Sequence, residues 1–199
     1  MEYDRSIDNF TKVLEVAPYG KDNDLVYYNL GMAYFKQRQY DESIYQFTKA
    51  LELIPENGNK RKFNILEWRA NAFQQKKEFD NAIKDYSDAI QLIPKHENIK
   101  DIYHNRAWSW INKEIYDKAI EDFSSAISID PEFDASYYGR AYVWSKKADL
   151  QRAIIDAKEA VKLNPANKKY DDLLYEIKSS KKVDDQALWG PFIEAGNKK

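Results

Sequence analysis

The chain has 199 residues, enough for one domain with a substantial core, and its 33 acidic and 31 basic side chains leave a formal charge of −2. That balance gives no electrostatic reason to expect nucleic acid or an anionic membrane as partner. With no cysteine, disulfides, thiol catalysis and zinc–thiolate sites are excluded, and no apolar run approaches the roughly 18–20 residues of a bilayer span.

The first helical phrase, SIDNFTKVLEVAP, opens with Ser6, places Phe10 four residues on and Val13 three beyond that, and stops at Pro18. The phrase returns as SIYQFTKALELIP to Pro55, AIKDYSDAIQLIP to Pro94, AIEDFSSAISIDP to Pro131 and AIIDAKEAVKLNP to Pro165. The prolines lie 37, 39, 37 and 34 residues apart, the internal spacing is helical, and proline is the stop. Ahead of each later phrase runs a second helical signature, a small residue with a large apolar one three later. Gly31 with Tyr34, Ala70 with Phe73, Ala107 with Trp110 and Ala141 with Trp144 all fit it. Each small residue stands twelve before the one opening the next helix, at Ser43, Ala82, Ala119 and Ala153. Small residues let two antiparallel helices approach while aromatics fill the space beside them. In the turns Gln39–Tyr40–Asp41 and Glu78–Phe79–Asp80, the aspartates are expected to cap the second helix.

The order W-x2-L-G-x2-Y, A-x3-F, P resembles the tetratricopeptide repeat, most fully in Tyr27, Leu30, Gly31, Tyr34, Ser43, Phe47, Ala50 and Pro55. The resemblance implies an all-α fold, a right-handed superhelical solenoid of antiparallel helix pairs. The predicted organisation is a solenoid over 1–182: a half repeat at 2–18, full repeats at 24–57, 63–96, 100–133 and 134–167, and a capping helix at 168–182. A tail follows at 183–199. In three repeats the family's leucine is replaced by Arg69, Arg106 and Arg140, and sixteen residues after each lies Asp85, Asp122 and Asp156. Leu30 has Gln46 at that distance, so Arg and Asp appear and vanish together. The expectation is an ion pair joining the two helices of one repeat, with an anion site as the alternative.

At the N-terminus the half repeat lacks its first helix, so Ile7, Phe10, Val13 and Leu14 would cover the next repeat while part of the helix stays bare. The expected reasons are a cut from a longer protein, pairing with another chain as in a homodimer, or a short protein that tolerates the bare face. In the capping helix Tyr170, Leu173, Leu174 and Ile177 form one stripe. Beyond it, the apolar cluster Ala187 to Ile193, interrupted by Gly190–Pro191, is expected to dock as an extra cap; a segment that binds a partner or the chain's own groove, and disorder, are the alternatives.

The resemblance also implies a concave groove lined by the first helix of each repeat. The facing residues would be Tyr28, Met32 and Phe35; Glu67, Asn71 and Gln74; His104, Trp108 and Ile111; and Tyr138, Tyr142 and Ser145, with Trp68 and Asn105 at the edge. Such a surface suits a protein or peptide segment, with Trp108 and Tyr142 as anchors. A family subclass grips chaperone C-termini with a clamp of Lys, Arg and Asn. Asn71 and Asn105 match two of its places, but Glu67, Ala135 and Gly139 replace its cations, which argues against carboxylate capture. An RNA-reading repeat is disfavoured by Glu67 and Asp101 in place of a basic groove. His96 and His104 sit in no metal motif and there is no phosphate loop, so the reading is a non-catalytic scaffold with no cofactor and no metal.

Overall fold

A computed structural model describes residues 2–55 and 57–180. Ten helices and no strand occur among them. They are α1 (Glu2–Val16), α2 (Asn23–Lys36), α3 (Tyr40–Leu53), α4 (Asn59–Gln75), α5 (Phe79–Leu92), α6 (Ile99–Asn112), α7 (Tyr116–Ile129), α8 (Asp134–Lys146) and α9 (Leu150–Leu163). The last, α10, covers 168–180. The chain forms two compact units, Met1–Glu114 and Ile115–Lys199. Residues 183–199, on which the expected docking segment falls, lie outside the described residues.

In the first unit α2 packs on α1, α3 and α4, and α4 packs on α2, α3, α5 and α6. Helices enclosed from several sides need apolar or small residues around much of their circumference, so α2 and α4 show no sharp apolar stripe. The less enclosed α3 and α5 are strongly amphipathic. The core lies where small residues meet rings. Phe47 is fully buried, and a Cβ added at Gly31 would come within 2.6 Å of its ring. Ser43 is also fully buried and donates its hydroxyl to the Gly31 carbonyl at 2.8 Å, tying α3 to α2. Around Tyr86 gather Phe63, Leu66, Ala70, Ala82, Ile99 and Ile102, all buried. In α1, Ile7, Phe10 and Leu14 are half-buried, whereas Val13 is 45% and Val16 87% exposed.

In the second unit the small contacts repeat: Gly139 of α8 lies directly under the Phe123 ring of α7. Helix α10 lays Leu173 and Ile177 on Ala141, Ala153 and Ala157, which buries the end of that core.

Helix ends follow two local rules. At α3, α5, α7 and α9 the last helical residue stands two before a proline. The intervening Ile54, Ile93, Asp130 and Asn164 take ψ of 133°, 80°, 98° and 78°, because the proline ring disfavours the helical region for the residue before it. At the end of the alternate helices, Arg38, Lys77, Glu114 and Ala148 adopt positive φ of 62°, 63°, 59° and 59°. Each makes the left-handed residue that closes a helix: the Lys77 N–H donates to the Gln74 carbonyl, and the Glu78 N–H to Phe73, at 3.0 and 2.9 Å.

This closure corrects the capping expectation. The chain re-enters a helix at Tyr40 and at Phe79, so Asp41 and Asp80 already lie inside the first turn, and neither N-cap position makes a side-chain cap bond. They are used differently. Asp41 pairs with Lys76 at 2.5 Å, Asp80 with Lys113, and in the second unit Asp117 with Lys147. Each of these carboxylates begins one helix and meets the lysine just beyond the end of the following one. At the first such join, Asp4 accepts from the neutral Gln37 at 2.8 Å. Asp149 does cap in the expected way, accepting from the Arg152 N–H at 3.1 Å.

Candidate functional site

The arginine–aspartate residues make internal clamps. Arg69 donates Nε and Nη2 to both Asp85 oxygens at 2.7 and 2.8 Å, and Nη1 to Thr48 Oγ1 at 3.0 Å. Three helices, α3, α4 and α5, are thereby joined through one planar guanidinium. Asp85 is 3% exposed and Arg69 18%. In the second unit Arg140 repeats this on Asp156 at 2.8 and 2.8 Å and on Ser124 Oγ at 2.9 Å. Arg106 donates to Ser87 Oγ at 2.9 Å, and Asp122 is buried in the second unit. The hydroxyl partner went unnoticed in the sequence; it stands five residues into each preceding phrase, as Thr48, Ser87 and Ser124. Where the pair is absent, Leu30 is buried and the Gln46 Oε1 is buried without a hydrogen-bond partner among the described residues.

Helices α2, α4 and α6 present the other candidate residues of the first unit. All of Tyr28, Met32, Phe35, Trp68, Asn71, His104, Asn105 and Trp108 are half-buried. Trp68 is engaged internally: Phe35 meets its ring edge-on at 5.3 Å and Lys36 Nζ lies 5.4 Å above it. Asn71 Oδ1 accepts from the Tyr86 hydroxyl at 2.5 Å, and Gln74 donates to the Asn105 carbonyl at 3.0 Å, binding α4 to α6. The Trp108 indole donates to His104 Nε2 at 3.1 Å, one helical turn away, so that nitrogen is an acceptor. In the second unit Tyr138 packs 5.0 Å from Tyr170 of α10, and Tyr142 lies under Lys146 Nζ at 5.2 Å.

Glu67 stands apart. It is half-buried on α4 and makes no hydrogen bond or ion pair among the described residues. Burial, and then the Asp101 carboxylate of α6, push its carboxyl up to about 7. The same carboxyl, after burial itself, raises the Tyr28 hydroxyl, and it adds to the burial that raises Tyr86. Beside it, α2 and α4 enclose a small pocket of ≈ 110 Å³ lined by Leu25, Tyr28, Arg61, Asn64 and Ile65. The sequence reading missed Arg61 and its partner Asp24. The guanidinium holds that 1%-exposed carboxylate at 2.7 Å and fixes one wall of the pocket. The available signal was Asp24 itself, an acid entering the first turn of a helix that buries most of its surface.

Among the described residues no group of three His, Asp or Glu side chains could hold a metal, and no helix is long and apolar enough to cross a membrane.

Antiparallel helix pairs, stacked through small residues and rings, define an all-α helical-repeat solenoid. The tetratricopeptide repeat pattern matches residues 25–57, 63–96 and 101–133, about half of the chain, and the protein belongs to that family. Solved structures agree on the fold. MamA is 22% identical with a TM-score of 0.71, over 84% of this chain and 92% of that one. YrrB, described as a TPR protein with an unusual peptide-binding site, is 20% identical with a TM-score of 0.72, over 89% and 84%. The second TPR domain of human RPAP3, in complex with the HSP70 peptide SGPTIEEVD, is 23% identical with a TM-score of 0.57, over 61% and 98%. No curated protein matches the chain by sequence. The fold is one that typically serves as a non-catalytic scaffold.

Proposed function

We propose that the protein is a non-catalytic interaction scaffold that takes a peptide or protein segment on the α2–α4–α6 face of its first unit. One observation carries this reading. The small positions Gly31, Ala70 and Ala107 that let the helices approach are buried, yet the same helices keep Tyr28, Met32, Phe35, His104 and Trp108 only half-buried on one side. Rings left partly open beside amides supply apolar area with directional hydrogen bonding, which suits an extended chain. Peptide complexes of structures with this fold, such as that of human RPAP3, support the reading.

Selection of a phage-displayed library of random twelve-residue peptides on the immobilised full chain tests it. Peptides should be enriched, and their recovery on Trp108→Ala should fall about tenfold or more, as for an interface anchor, with helicity unchanged by circular dichroism. No enrichment, or equal recovery on the variant, would sink the proposal.

A second reading is self-association, favoured by the exposure of Val13 and Val16 on α1. It is compatible with peptide binding, since it uses a different surface.

A further inference from the structure

Glu67 is a charged residue on the α4 part of this face, and it combines two features that do not favour the isolated protein. It is withdrawn from water, and its charge is felt by a second carboxylate, Asp101 from α6, and by two hydroxyls, Tyr28 from α2 and Tyr86 from α5. A half-buried carboxyl of this kind gains an electrostatic partner only from outside. Tyr28 connects it to a second feature, because that side chain also lines the pocket between α2 and α4 whose other walls include Leu25 and Ile65. A half-buried carboxyl and an apolar recess therefore lie on one helix, Glu67 standing one helical turn beyond Asn64 of the pocket's lining, within reach of neighbouring side chains of a single bound segment.

We infer that the α2–α4 part of this face takes a peptide segment bearing a lysine or arginine, whose cation seats on Glu67 while a nearby aliphatic side chain of the same segment enters the pocket beside Tyr28. The inference rests on the peptide-binding reading above and specifies its ligand. Charge complementarity chooses the occupant. An acidic segment would meet Glu67 as a like charge, whereas a cation would pair with it. The seat is built from fixed groups, since Arg61 is anchored on buried Asp24 and Tyr28 packs on the fully buried Phe47 ring at 6.0 Å. Arg61 is 37% exposed at the far wall and already neutralised by Asp24, so it does not compete for Glu67.

The displayed twelve-residue library is selected in parallel on wild type, Glu67→Gln and Glu67→Lys, with circular dichroism confirming each fold. Wild type should enrich a fixed Lys or Arg position close to an aliphatic one. Glu67→Gln should lose the basic preference and keep the aliphatic one, and Glu67→Lys should replace it with Asp or Glu. A synthetic copy of an enriched peptide should bind wild type about tenfold more tightly than its Lys→norleucine version, with the two equal on Glu67→Gln. Glu67→Gln removes no partner, so it remains informative if Glu67→Lys does not fold. Enriched peptides that are sensitive to Trp108→Ala but lack a basic position, or keep it on Glu67→Gln, overturn the cation seat and leave the groove reading standing. Enrichment of acidic segments on wild type overturns it as well. No enrichment at all removes both.

Discussion

Glu67 also governs a property of the isolated protein. Its carboxyl sits at about 7 in the folded chain, against the ordinary 4.5. A raised acid binds its proton more tightly when folded, so its stabilising contribution is complete below about 4.5 and is lost as pH rises through about 7. Glu67→Gln cannot ionise and escapes that loss. Thermal melting should therefore show the variant gaining on wild type between pH 5 and pH 8, by about 1 kcal/mol once its partial exposure is allowed for, or about 2–4 °C. Parallel melting curves across that range would show that Glu67 is solvated. The position of this residue, three before Ala70, was expected to face a groove on the family resemblance alone. Its want of a counter-charge was not, because that depends on what α2, α5 and α6 each place beside it. The left-handed residues were equally silent. Arg38, Lys77, Glu114 and Ala148 carry side chains that normally avoid positive φ, and no glycine marks the turn.

Between helices, the arginine clamp is the instructive case. The sixteen-residue spacing of Arg69 and Asp85 was visible in the chain, since a helix, a tight turn and a helix return to the same level at that distance. The hydroxyl of Thr48 was not visible, because it comes from the helix before and its register depends on how successive pairs stack. The first repeat shows an uncharged solution in Leu30 and Gln46 at equivalent places. Arg69→Leu alone strands the 3%-exposed Asp85 carboxylate and should cost about 3 kcal/mol. Arg69→Leu with Asp85→Gln copies the first repeat and should recover more than half of that loss. Chemical denaturation of both variants measures it, and an equal or larger loss in the double variant would mean that the charge itself was never the issue. The misjudged caps at Asp41 and Asp80 have the same origin: the helix start depended on a turn geometry that residue types alone did not announce.

For the molecule as a whole, order and kind of helix were legible because proline stops and small-residue contacts recur at a nearly constant period. The second reading of function belongs to this scale. Exposed Val13 and Val16 lie on α1, whose inner side already covers α2, so association through them would leave the binding face free. Multi-angle light scattering of the full chain should show a mass that rises with concentration, and Val13→Lys with Val16→Lys should hold it at one chain; a constant single-chain mass for wild type rejects self-association. The acid-to-lysine joins carry a last implication, for how such a chain grows. Asp41 meets Lys76, Asp80 meets Lys113, and Asp117 meets Lys147, so the seam after one helix pair is chemically the same as the seam after the next. A duplicated pair inserted at any of these seams would find a matching neighbour on both sides. The Asp4–Gln37 seam breaks that equivalence, and an inserted copy there would meet an amide in place of a cation. Length is thus a variable trait of this architecture at those three joins and a constrained one at its first.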